Sequence, residues 1–215
     1  MSRLYIYCEG STEKIFVDKI LIPFFKSRDI AVQTIIAAKG SDGKKGGIAQ
    51  YSQVKRELTR ICREHPHEHV TTLIDYSPVF SLPFEYDSAG TIYDSIVSRE
   101  HAIEDNISLP NLIMNFELHE FEAYLYCNPD AFKIYGKVAP VTIKRIVNQA
   151  GGPEMINTDV NTLPSKRLNK VITNYTGSKM VNTTKLLEHI TLEQIREECK
   201  HFNDWLSRLC EICVD

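Results

Sequence analysis

The alternation of apolar and polar positions divides the chain into two parts. Leu4-Tyr5-Ile6-Tyr7-Cys8 is a β-branched and aromatic run of the length of a buried strand. It stops at Glu9-Gly10-Ser11, a tight turn, and the period then changes. Ile15, Phe16, Ile20 and Phe24 recur at helical spacing, with Ser11 or Thr12 placed to cap that helix. Ile30 to Ala37 reads as a second strand. Ile48 to Glu64 reads as an amphipathic helix with Val54, Leu58 and Ile61 inward. Val70-Thr71-Thr72-Leu73-Ile74 reads as a third strand ending at Asp75. Tyr76 to Gly90 holds Pro78, Pro83 and Gly90 without a helical period, which predicts a loop or lid. Thr91 to Ile107 predicts a helix, and Leu112 to Phe116 a fourth strand that runs into His119-Glu120-Phe121-Glu122.

Strands alternating with helices imply a parallel or mostly parallel sheet with right-handed crossovers. After residue 128 the strand signals end. Short helices follow, broken by Gly151-Gly152-Pro153 and Pro164, with one long final helix predicted near Thr191 to Cys213. The reading is an α/β core over 1–128 and a helical C-terminal extension over 129–215, packed on the core.

At 215 residues the chain can bury a full core. Its formal charge of -3 removes any global electrostatic argument for nucleic acid, so such a site needs a local basic patch. No apolar run approaches the roughly 20 residues that span a bilayer, and the N-terminus does not read as a signal peptide, so a cytoplasmic protein is expected. The six cysteines are scattered through apolar segments and read as buried thiols. Cys210 and Cys213 form a CxxC, but on a continuous helical pattern rather than a zinc-knuckle turn.

In an open α/β sheet, ligands bind beyond the carboxyl ends of the strands. Acids stand there: Glu9 after the first strand, Asp75 after the third, and Glu117, Glu120 and Glu122 after the fourth. Converging carboxylates resist ionisation unless a cation neutralises them. Oxygen-only ligands suit Mg2+ or Mn2+. Such a centre can activate water and stabilise a leaving oxygen in phosphoryl transfer. The competing reading is helix capping, since Glu9 and Glu13 sit where a helix dipole favours negative charge. In an extended segment Glu120 and Glu122 share a face; in a helix they flank a core face of Phe121, Tyr124 and Leu125. The loop Lys39 to Gly47, with Lys44 and Lys45, fails the spacing of a nucleotide-binding phosphate loop and reads as a basic loop able to touch a phosphate backbone. Lys166 and Arg167, near Lys170 and Lys179, form a second basic cluster, which reads equally as a solvated helix face.

Cys8-Glu9-Gly10-Ser11-Thr12-Glu13, an apolar helix, and a strand ending in Asp75 resemble the Toprim domain of topoisomerases, primases and OLD-family nucleases. The resemblance implies a small parallel sheet between helices, a motif glutamate after the first strand and an acidic pair after the third. Glu9 and Asp75 match; the usual Asp-x-Asp is here Asp75-Tyr76-Ser77. Glu9 to Glu13, Gly46-Gly47 with Tyr51, Thr71 to Tyr76, His119 to Tyr126, Pro153 to Asn157, Pro164 to Arg167 and Cys199 to Trp205 together resemble domain-of-unknown-function family 4276, departing from it at Ser77-Pro78-Val79-Phe80. That resemblance implies a Toprim-like nuclease or effector beside an SMC- or ABC-like ATPase in a bacterial defence module. Its metal would be held by Glu9, Asp75 and Glu120 or Glu122. Lys44, Lys45, Lys166 and Arg167 would meet the phosphates of DNA or RNA. Two other classes stay open: a non-catalytic adaptor of such an ATPase, favoured by the missing second Asp, and a small-molecule phosphohydrolase using the same acids.

Overall fold

The computed structural model of the chain describes residues 2–38, 50–76, 81–157 and 161–213. Lys44, Lys45 and the Ser77 to Phe80 departure lie outside them. The fold is α/β. Strands β1 (Ser2–Cys8), β2 (Ile30–Ile36), β3 (His69–Asp75), β4 (Leu112–Ile113) and β5 (Phe116–Glu117) pair only in parallel, in the order β2-β1-β3-β4, with β5 continuing the edge beside β3. No helix among the described residues is long and apolar enough to cross a membrane.

The pleat sorts the strand residues into two cores. Leu4, Ile6, Cys8, Leu73 and Ile113 face one side, where they join Phe16, Tyr124, Phe202 and Leu206. Tyr5, Tyr7, Val70, Ile74 and Phe116 face the other, against helices α3 (Tyr51–Glu64) and α4 (Ile92–Ile107). The first side is covered by α1 (Ser11–Phe16) and by the late helices: α5 (Ala139–Ala150), α6 (Pro164–Val171), α7 (Lys179–Leu187), α8 (Leu192–Glu198) and α9 (Lys200–Cys213). Residues after 128 therefore share one core with the sheet. Trp205 of α9 reaches a strand directly, donating its indole N–H to Thr71 Oγ1 at 2.8 Å.

Four local readings differ from the structure. The first helix is capped by Gly10, not by Ser11 or Thr12, so the N-cap residue has no side chain to offer the first-turn N–H groups. The helix passes through a π segment (Val17–Leu21) into α2 (Ile22–Lys26). Pro23 lacks the N–H that would complete an α-type ladder there, and the wider turn just before it absorbs the gap.

The fourth strand is interrupted. At Met114-Asn115 the partner is a side chain: Thr72 Oγ1 accepts from Asn115 N (2.8 Å) and donates to Asn115 O (2.7 Å). This edge would otherwise expose N–H groups, an invitation to foreign strands. Helix α4 covers them, since Glu104 accepts from Met114 N at 2.8 Å and Glu100 from Phe116 N at 2.6 Å. His201 pairs with Glu100 and Arg208 with Glu104, tying α9 to the same edge.

The single long final helix is two helices. Cys199 adopts an extended conformation between α8 and α9, and the apolar period runs through the break without marking it. The buried carboxylate of Glu154 sets the break: its two oxygens accept from His201 N and Phe202 N, both at 3.0 Å. It thereby satisfies the first donors of α9. Glu154→Ala is expected to destabilise the protein by about 2 kcal/mol, the loss of a charged cap less the relief of a buried charge. That corresponds to a fall in Tm of roughly 4–8 °C for a chain of this size. An unchanged calorimetric Tm would contradict this capping role.

Candidate metal centre

Glu9 follows β1, and its N–H continues the ladder to Leu73 O at 3.0 Å. Its Oε2 accepts from Asp75 N at 3.2 Å. Four residues later, Glu13 sits in the first turn of α1, buried, with its carboxylate drawn back to the N–H groups of Gly10 and Glu13 itself. This is half of a capping box, the N3 glutamate reaching the N-cap N–H. The fit is close, because a Cβ on Gly10 would lie 3.2 Å from Glu13 Oε2.

Asp75 ends β3 and Glu117 ends β5, and the two are register partners across the parallel pair. They share pleat parity with Leu73 and Ile113, so both turn toward the side that α1 covers. One carboxylate oxygen from each of Glu13, Asp75 and Glu117 lies within 4.8 Å of the others. Asp75 Oδ1 also accepts from Phe121 N at 2.7 Å. Glu117 is fully buried, and neither of its oxygens has a hydrogen-bond partner among the described residues. A buried carboxylate left bare is costly, and this one faces two more acids.

Electrostatics follow from that geometry. Burial pushes Glu117 well above the usual carboxylate range, and Asp75, Glu13 and Glu9 push it further. Asp75 is raised for the same reasons, burial first and then Glu9 and Glu13. Glu13 is raised by burial, against the pull of its backbone donors and of Lys179. Without a metal these surroundings favour the protonated carboxyls. A divalent ion does the same neutralising work, and an oxygen-only donor set suits a hard ion. The residues present fit such an ion, and the bare Glu117 is the observation that says so.

The acids expected in the His119 to Glu122 segment are used differently. His119 holds a positive φ of 69°, and Glu120 is extended ahead of a 3-10 helix (Phe121–Cys127). Both oxygens of Glu120 are engaged by Ser165, from its N–H at 2.8 Å and its hydroxyl at 3.0 Å. Glu120 thus anchors the first turn of α6, and it is not part of the triad. Glu122 does not flank the core but lies wholly inside it. Its Oε1 takes the ammonium of Lys179 at 2.8 Å and the hydroxyl of Tyr175 at 3.2 Å. Burial disfavours the charge on Lys179, but Glu122, Asp75 and Glu13 outweigh it and hold the group above the ordinary lysine range.

Of the basic residues, Lys166 and Arg167 stand on α6 beside Ser165. Lys166 is exposed, and Arg167 donates its Nε to Thr162 O at 2.8 Å. His65 stacks on Tyr5 with ring centroids 4.0 Å apart, a packing role. Five of the six cysteines are buried, and Cys210 is half-buried on α9.

The structure therefore brings Asp75 together with Glu13 and Glu117, places Glu9 beside them, and directs Glu120 and Glu122 to other partners. Glu13 had a sequence signal, an acid in the first turn of a helix that opens at the carboxyl end of a strand. Glu117 had a weaker one, an acid closing the fourth apolar run.

A family model described as Domain of unknown function (DUF4276) matches residues 8–210, which include every acid named above. No curated protein and no solved structure matches the chain. The match spans nearly the whole sequence, and the chain belongs to the family described as Domain of unknown function (DUF4276).

Proposed function

We propose that this chain is a Mg2+- or Mn2+-dependent nuclease, a hydrolase of phosphodiester bonds in DNA or RNA built on a Toprim-like sheet. The observation that carries the reading is the bare, buried Glu117 carboxylate facing Asp75 and Glu13 at the carboxyl ends of parallel strands. A bound magnesium ion would supply Lewis-acid polarisation of the scissile phosphate and lower the pKa of a water. Glu13, Asp75 and Glu117 would hold the ion, with Glu9 supporting Asp75 through its backbone N–H. Glu120 fixes the turn that presents Lys166 and Arg167, which would meet phosphate oxygens. The setting we envisage is cytoplasmic, beside an ABC- or SMC-like ATPase in an antiviral defence module.

The test is incubation of purified protein with plasmid DNA, single-stranded DNA and tRNA, in magnesium, in manganese and in EDTA. Cleavage of at least one substrate is expected, stopped by EDTA and reduced by Asp75→Asn at least about 100-fold, the scale on which metal sites respond to altered ligation. Cleavage indifferent to both would sink the metal reading. Absence of cleavage together with absence of metal binding would leave the adaptor reading, favoured by Ser77 standing where the resemblance calls for a second Asp.

A further inference from the structure

Two-metal phosphodiesterase centres hold two ions about 3.5–4 Å apart and need carboxylate oxygens enough for both. The acids of this chain are numerous enough for that, but their hydrogen bonds divide them. Both oxygens of Glu120 are held by Ser165. Oε1 of Glu122 is held by Lys179 and Tyr175, while its buried Oε2 has no hydrogen-bond partner among the described residues. One oxygen of Asp75 is occupied by Phe121 N and one of Glu9 by Asp75 N. What converges is the triad of Glu13, Asp75 and Glu117, with both oxygens of Glu117 bare although the residue is fully buried.

Where a second ion would need Glu122, an ammonium already sits. Lys179 is the first residue of α7, which packs on α1 and on the 3-10 helix that carries Glu122. Its Nζ lies 2.8 Å from Glu122 Oε1, and its field reaches Asp75 and Glu13. An ammonium cannot coordinate a metal, and its charge repels a second divalent ion from the carboxylate it holds. The Glu122–Lys179 pair is internally neutral. The triad carries three formal negative charges, which one divalent ion nearly balances.

Resting on the metal-centre reading above, we infer that this site takes a single divalent ion and that the ammonium of Lys179 is its second cation. Lys179 then holds a fixed ammonium where a second metal would stand elsewhere, its charge partly offset by Glu122. Phosphate approaching the ion would meet it next to Glu122. This arrangement also gives physical sense to Ser77: a site with one ion has less need of the second acid of an Asp-x-Asp.

The test is metal stoichiometry, which does not depend on cleavage. The full chain, stripped with EDTA, is titrated with Mn2+ by calorimetry, and free Mn2+ is counted by electron paramagnetic resonance. Wild type is expected to bind one Mn2+ per chain. Lys179→Met, which frees Glu122, is expected to gain a second, weaker binding event. The double variant Glu122→Gln with Lys179→Met should return to one. Two Mn2+ in wild type, the second lost in Glu9→Gln, would overturn the inference and leave the metal centre standing. One Mn2+ in both wild type and Lys179→Met would overturn the role given to Lys179. No binding by wild type would defeat the metal-centre reading itself. Should Lys179→Met fail to fold, as circular dichroism would reveal, the wild-type count still decides between one ion and two.

Discussion

Glu117→Gln is expected to make the metal-free protein more stable while weakening the metal binding, and with it the cleavage, that we propose. The side chain is fully buried with no partner for either oxygen, and an unsatisfied buried polar group costs about 1–3 kcal/mol, more when charged. Glutamine keeps the shape, cannot ionise, and carries amide N–H groups that can donate to the carboxylates of Asp75 and Glu13. At roughly 2–4 °C per kcal/mol for a chain of this size, the gain is a Tm several degrees higher. The same exchange takes away a metal ligand. Loss of metal affinity should be about 100-fold or more, since even partners outside the coordination sphere commonly cost 10–100-fold. A variant that is both less stable and still metal-binding would show that Glu117 is a structural acid.

The pH dependence of the metal-free protein carries the same information. Glu117, Asp75, Glu13 and Glu120 all bind their protons more tightly folded than unfolded, chiefly because of burial. Between the ordinary carboxylate range, about pH 4, and those raised values, the folded chain holds more protons than the unfolded chain. Stability therefore falls as pH rises through that window, by up to about 1.4 kcal/mol per pH unit for each proton of difference. This is the reverse of the usual behaviour of salt-bridged carboxylates. Magnesium replaces the protons and should flatten the slope. Glu117→Gln should flatten it in part without metal. Thermal melts from pH 5 to pH 8, with and without magnesium, measure both.

The strands that build this centre were legible because β1 and β3 carry short β-branched and aromatic runs that no helical period explains. Asp75 was legible as the acid that ends one of them. The division of labour among the remaining acids was not, because partners distant in sequence decide it. Glu120 belongs to Ser165 and Glu122 to Lys179, and nothing near residue 120 announces either. Thr72 standing in for backbone partners at Asn115 is equally invisible, since a threonine in a strand ordinarily signals only β propensity. The break at Cys199 falls inside an unbroken apolar period, and its cause, Glu154, lies in another segment. Lys166 and Arg167 were legible as a basic cluster, and their tie to Glu120 runs through Ser165, the residue ahead of Lys166.

Glu13→Gln is expected to weaken Mn2+ binding by about 100-fold or more, and Glu9→Gln by about 10-fold, the low end of the range for a supporting partner. The family resemblance places the motif glutamate at residue 9. The pleat argues for residue 13. Cys8 and its register partner Leu73 face the α1 side, so Glu9, which continues the ladder, starts on the opposite side from Asp75 and Glu117. It reaches the centre through Asp75 N rather than through the triad. Glu13 comes from α1, whose Phe16 packs in the core on the triad's side, and needs no detour. Glutamine at 13 still reaches back to the N-cap N–H, because the capping box accepts Gln as well as Glu. The variant therefore keeps its helix start and loses only charge, and a fall in affinity reads as a lost ligand rather than a lost fold. Calorimetric titration of the two variants side by side decides the matter. The reverse order of losses would return the ion to Glu9 and leave Glu13 as a helix cap.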